Sequence, residues 1–117
     1  MIMERIYKTS FSAAHVIKGH PKCGKTHGHN YHLVVKVSAR HDEWIDFAII
    51  KRAVWNVLDE HYDHRDLGPV TAEELAIDIC RFVKNELHVI LSKEYVVNIE
   101  LWETDNFGVQ TNFTTTR

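Results

Sequence analysis

The chain has 117 residues, 14 basic and 16 acidic side chains, a net charge of −2 and a pI near 6.5. That length suits one domain, residues 1–117, and the near-neutral balance provides no electrostatic footprint for nucleic acid. No apolar run approaches the ~20 residues of a membrane-spanning helix. Met1-Ile2-Met3-Glu4-Arg5 lacks a signal-peptide layout, and two cysteines, Cys23 and Cys80, make no disulfide framework. The expectation is a cytoplasmic, reduced protein with neither nucleic acid nor membrane as partner.

In chain order, Glu4 to Phe11 alternates loosely and reads as a strand, and 16–26 reads as a loop with two glycines, a proline and three lysines. Tyr31 to Arg40 is the clearest strand, with Leu33, Val35 and Val37 on one face of a β-branched run. Asp46 is placed to cap a helix whose apolar positions Phe47, Ile50, Val54, Val57 and Leu58 recur at helical spacing. The polar stretch 61–69, broken by Gly68-Pro69, reads as a loop. Thr71 and Glu74 fit a capping box for a second helix to about Leu91, with Leu75, Ile79, Phe82 and Leu87 inward. Tyr95 to Glu103 alternates again, 104–106 suits a turn, and 109–114 reads as a final strand.

The order is strand, strand, helix, helix, strand, strand. It implies an α+β fold in which a four-stranded antiparallel sheet carries both helices on one face. Two sheet edges would then lie open. Pairing them between subunits into a closed barrel removes that liability, which predicts a symmetric homo-oligomer.

Chemistry concentrates in Cys23-Gly24-Lys25-Thr26-His27-Gly28-His29. In an extended segment, His27 and His29 share a face, and Gly28 between them leaves room for a ligand or another backbone. Two imidazoles make half of a site for a divalent transition metal. A third, with His15 the best candidate, completes a catalytic-type zinc site whose fourth position is open. Cys23 lies among lysines and beside the expected cation, so it reads as a base or a nucleophile, or as a zinc ligand itself in a Cys-His-His set. Cys80, inside the second helix, reads as structural. Asp63-His64 is an adjacent carboxylate and imidazole suited to acid/base work. Glu103 ends the Val97-Ile99-Leu101 face, where a carboxylate needs a partner if buried. Thr71 and Glu73 are candidate ligand contacts, although capping already accounts for Thr71.

Phe11-Ser12-Ala13-Ala14-His15, Cys23-x-x-x-His27-Gly28-His29-Asn30-Tyr31, Asp46-Phe47, Asp63-His64, Thr71-Ala72-Glu73 and Trp102-Glu103-Thr104 occur in one order over nearly the whole chain. Together they resemble the 6-pyruvoyl-tetrahydropterin synthase family, which includes the 6-carboxytetrahydropterin synthases. The resemblance implies a tunnelling fold (T-fold) assembled as trimers or hexamers, with active sites at subunit interfaces. It implies Zn2+ held by His15, His27 and His29, with Cys23 as catalytic base and Asp63 and His64 as a proton relay lent by a neighbouring subunit. Glu103 would anchor the pterin, and Thr71 and Glu73 would lie near it. The implied substrate is 7,8-dihydroneopterin triphosphate, which loses triphosphate to give the 6-pyruvoyl or the 6-carboxy product. Two rivals remain open: a pterin- or purine-binding T-fold protein with a structural zinc, and a related enzyme acting on another purine or pterin triphosphate.

Overall fold

Alternation in the first forty residues becomes one long antiparallel ribbon. The computed structural model describes residues 1–113. Strand β1 (Ile2–Val16) pairs throughout its length with β2 (His27–Arg40), from Ile2 opposite Arg40 to His15 opposite His27. Helix α1 (Phe47–His61), strand β3 (Arg65–Pro69), helix α2 (Ala72–Leu91), and strands β4 (Val96–Trp102) and β5 (Gly108–Gln110) complete the described chain. The sheet order is β3-β1-β2-β4-β5.

Side-chain parity divides the two sheet faces. Phe11, Ala13, Tyr31, Leu33, Val35, Val37, Val97, Ile99 and Leu101 are buried in one cluster with Ile50, Val54, Val57 and Leu58 of α1. Leu75, Ile79, Val83 and Leu87 of α2 join the same cluster. Alternate residues point away from the helices. Both helix starts follow the sequence signals: Asp46 accepts from the Ala48 amide at 2.9 Å, and the Thr71–Glu74 capping box forms in full.

Four expectations are corrected. The sheet has five strands rather than four, because Arg65–Pro69, read as loop, pairs in parallel with β1 at the sheet edge. That segment has no apolar alternation to announce a strand, and an edge position tolerates its proline. Phe82 is 42% exposed and stacks on the His61 ring, while neighbouring Val83 fills the inward position. Phe47 starts α1 facing outward at 70% exposure. The last strand is only Gly108–Gln110, and Thr114 of the expected run lies outside the described residues. Among the described residues, no helix is long and apolar enough to cross a membrane.

Candidate metal centre

The β1–β2 register builds the site. His15 stands directly opposite His27, and Ala13 stands opposite His29, so all three imidazoles leave the ribbon on its helix-covered face. Their ring centroids are 4.5, 4.8 and 4.9 Å apart, and one donor atom from each lies within 4.8 Å of the others. His15 is fully buried.

Two backbone carbonyls set the tautomers. The Nδ1 atoms of His15 and His27 lie 2.8 Å from the carbonyls of Val70 and Lys25 respectively. A carbonyl only accepts, so each Nδ1 carries the proton, and in the neutral ring Nε2 keeps a lone pair for a metal. Burial lowers the pKa of His29; the charge of Glu103 opposes this, while His15 and His27 add to it. A lowered pKa keeps that ring neutral and able to ligate near pH 7.

Glu103 is the unexpected neighbour. Its residue number has the parity of the Val97-Ile99-Leu101 face, and its Oε2 lies 3.3 Å from His15 Nε2 and 2.9 Å from His29 Nε2. Those are ion-pair distances, yet both buried nitrogens lack an aligned hydrogen-bond partner. Distance and alignment therefore disagree about a hydrogen bond. Alignment is the stricter test, so the nitrogens are treated as unpaired. Two buried, unpaired imidazole nitrogens, His15 Nε2 and His29 Nε2, with His27 beside them, fit a divalent transition metal such as zinc.

The remaining candidates separate. Cys23 is half-buried in the β1–β2 loop and is not grouped with the three histidines, so the Cys-His-His reading gives way to a three-imidazole set. Its loop is folded back by a backbone bond from Ile17 N–H to the Cys23 carbonyl at 2.8 Å and by the His20 side chain, whose Nδ1 accepts from Cys23 N–H at 2.8 Å. Gly24 is required there, because a Cβ would meet the His20 carbonyl at 2.4 Å. Gly28 is different: a Cβ would come no closer than 3.8 Å to the Ala13 carbonyl, so nothing within the chain demands glycine.

Asp63 and His64 lie side by side. Asp63 Oδ2 is 3.0 Å from His64 Nδ1, an ion-pair distance, while Oδ1 accepts from the Ser12 amide at 3.1 Å. The His64 amide donates to the Ser12 carbonyl at 2.6 Å, and His64 sits at φ +59°, a left-handed conformation uncommon for a non-glycine residue. The imidazole is 81% exposed. It borders an open groove of about 530 Å³ together with Ser12, Gly28 and Asn30 and also His29, so His64 and one of the three clustered imidazoles line the same groove. No hydrogen bond or ion pair joins this pair to His15, His27 or His29 among the described residues.

Thr71 acts as the cap of α2, its hydroxyl 3.1 Å from the Glu74 amide, and Glu73 is exposed in the first turn. Sequence reasoning missed the carbonyls of Val70 and Lys25, since any residue supplies a carbonyl. It also missed Tyr31, whose fully buried hydroxyl has no partner among the described residues and whose pKa burial raises far above the ordinary value.

Comparison with known proteins adds an independent line. The pattern described as 6-pyruvoyl tetrahydropterin synthase matches residues 5–112. The chain is 31% identical over 135 residues to the 6-carboxy-5,6,7,8-tetrahydropterin synthase of Rickettsia bellii, covering 88% of this chain and 95% of that protein. It is 32% identical over 111 residues to the dihydroneopterin monophosphate aldolase of Pyrococcus furiosus, covering 90% and 93%. The solved 6-pyruvoyl tetrahydropterin synthase of Caenorhabditis elegans superposes with a TM-score of 0.82 at 26% identity, covering 97% of each chain.

Proposed function

This chain belongs to the 6-pyruvoyl tetrahydropterin synthase family, and from that premise we propose that it is a zinc-dependent lyase acting on 7,8-dihydroneopterin triphosphate. The product is 6-pyruvoyl-tetrahydropterin if the three-carbon side chain is retained, or 6-carboxytetrahydropterin if it is cleaved with release of acetaldehyde. The observation that carries this reading is the convergence of His15, His27 and His29 with buried, unpaired Nε2 atoms on His15 and His29.

Zinc, when bound, supplies Lewis acidity beside the hydroxyls of the substrate side chain. Cys23 takes the proton from the side-chain carbon as its base. His64 moves protons, with the Asp63 carboxylate 3.0 Å from its Nδ1 to orient the ring. Glu103 accepts paired N–H bonds from the guanidine-like edge of the pterin, with Thr71 and Glu73 near the same ring. Lys18, Lys22 and Lys25 meet the triphosphate.

Two features support subunit-shared sites in a trimer or hexamer. Among the described residues, the Asp63-His64 pair bonds to Ser12 and not to its own chain's clustered histidines, and β3 and β5 leave both sheet edges unpaired. A cytoplasmic setting accompanies this reading, with Cys23 and Cys80 both free.

A second reading rests on the Pyrococcus relative, named an aldolase for dihydroneopterin monophosphate. The same base and relay would serve retro-aldol cleavage, leaving a hydroxymethyl pterin and a two-carbon aldehyde phosphate. Incubating zinc-loaded protein with dihydroneopterin triphosphate, and separately with the monophosphate, decides by product mass. Triphosphate release with or without acetaldehyde assigns the lyase branch, and cleavage of the monophosphate alone replaces the lyase with the aldolase. Cys23→Ala is expected to lower turnover by ~10²–10⁴-fold while zinc stays bound. Full turnover in that variant removes Cys23 as the base.

A further inference from the structure

Cys23 stands on the connection 17–26 between β1 and β2, yet its backbone is held on both sides. Its carbonyl accepts from the Ile17 amide at 2.8 Å, and its amide donates to His20 Nδ1 at 2.8 Å. The Lys22 amide donates to the same nitrogen at 3.1 Å. A ring nitrogen that accepts N–H bonds carries no proton, so the neutral His20 ring is the Nε2–H tautomer. The His20 amide donates in turn to the Ile17 carbonyl at 3.2 Å, which ties this residue to the end of β1. Gly24 lets the chain pass close over the His20 carbonyl, where a Cβ would collide. Downstream, the Lys25 carbonyl lies 2.8 Å from Nδ1 of His27, one of the metal-centre imidazoles. Cys23 is thus moored between β1 and the metal centre. Among the described residues, His20 is the one residue of the connection whose side chain bonds to its backbone.

Resting on the reading of Cys23 as the base, we propose that His20 is a positioning residue for the reaction. Its Nδ1 fixes the Cys23 backbone, and with it the place of the thiol relative to the metal centre. A base must stand within reach of the proton it removes, and a displacement of ~1 Å costs up to ~10²-fold in rate. Surface connections are ordinarily more mobile than that tolerance allows. Two N–H bonds converging on one ring nitrogen supply the missing constraint. What the loop requires at position 20 is therefore an acceptor where Nδ1 stands, and not an imidazole as such. Asparagine puts its Oδ1 at that place, whereas the glutamine oxygen lies one bond further out.

Zinc-loaded wild type, His20→Ala, His20→Gln, His20→Asn and Cys23→Ala are compared on whichever of dihydroneopterin triphosphate and monophosphate the wild type turns over. His20 is exposed, so removing its ring opens no core cavity, and thermal unfolding verifies each fold. Expected in H20A and H20Q is a kcat about 10–100-fold lower with KM within about twofold of wild type. H20N should recover most of the kcat. A second readout needs no turnover: alkylation of Cys23 by iodoacetamide, followed by intact mass. Cys80 is buried, so the folded protein reports Cys23. Alkylation of H20A should be as fast as that of wild type or faster, the mark of a competent thiol in the wrong place. Wild-type kcat in H20A, with Cys23→Ala inactive, overturns the role of His20 and leaves the base standing. Equal losses in H20N and H20A, a loss carried wholly by KM, or slower alkylation in H20A each overturn the positioning role as well. Full turnover in Cys23→Ala, or none by the wild type on either substrate, overturns the reading of Cys23 as base and this inference with it.

Discussion

Zinc should stabilise this fold by an amount that identifies its ligands. A ligand at 100 times its dissociation constant that binds only the native state adds ~2.7 kcal/mol. At ~2.1 cal/mol/K per residue, a chain of 117 residues has an unfolding entropy of about 0.25 kcal/mol/K near its midpoint, so the Tm should rise by about 11 °C. His15→Ala, His27→Ala and His29→Ala should each abolish most of that rise, whereas Cys23→Ala should keep all of it, because Cys23 is not a member of the donor group. His15→Ala carries a separate cost. Its buried ring leaves a cavity and strips the Val70 carbonyl of its donor, each of which is destabilising without any metal. The informative quantity is therefore the shift between stripped and zinc-loaded protein within each variant, at fixed protein concentration, by differential scanning fluorimetry. A Cys23→Ala protein that loses the shift, or a His27→Ala protein that retains it, would refute the three-histidine assignment.

Three further outcomes are expected. His29 has a folded pKa lowered chiefly by burial, so below the ordinary imidazole pKa of about 6.5 the unfolded chain binds the proton more readily than the native one. Metal-free wild type should then lose stability relative to His29→Gln as pH falls through 6.5, measured by urea unfolding from pH 7.5 to 5; a constant difference contradicts the burial argument. Thr71→Ala should cost about 1 kcal/mol through loss of the cap, and, since the Val70 carbonyl adjoins that cap, should also weaken zinc binding; chelator competition measures this. Leu87→Ala, at a fully buried α2 position, should cost ~2–5 kcal/mol in denaturant unfolding, while a cost below about 1 kcal/mol would place Leu87 outside the core.

Local periodicity carried much of the α+β tunnelling fold. Alternation over Leu33, Val35 and Val37, helical spacing from Ile50 to Leu58, and the Thr71–Glu74 box each report a neighbour two to four residues away, and the structure follows them. The same parity put His27 and His29 on one face and Glu103 on the face of Leu101. Phe82 misled because Val83, one position on, is equally apolar, and which of the two faces the core depends on where α2 lies against the sheet. Arg65–Pro69 was illegible as a strand because its partner is β1, some fifty residues earlier, and an edge strand needs no apolar face of its own.

The residue order alone determined which side chains could share a face, since that follows from a two-residue or 3.6-residue repeat. Only the tertiary structure decided that His15 stands opposite His27, that the Val70 and Lys25 carbonyls fix two tautomers, and that Glu103 reaches two of the imidazoles. Those contacts depend on register and chain return across many residues, which the packed core sets and a local pattern does not encode.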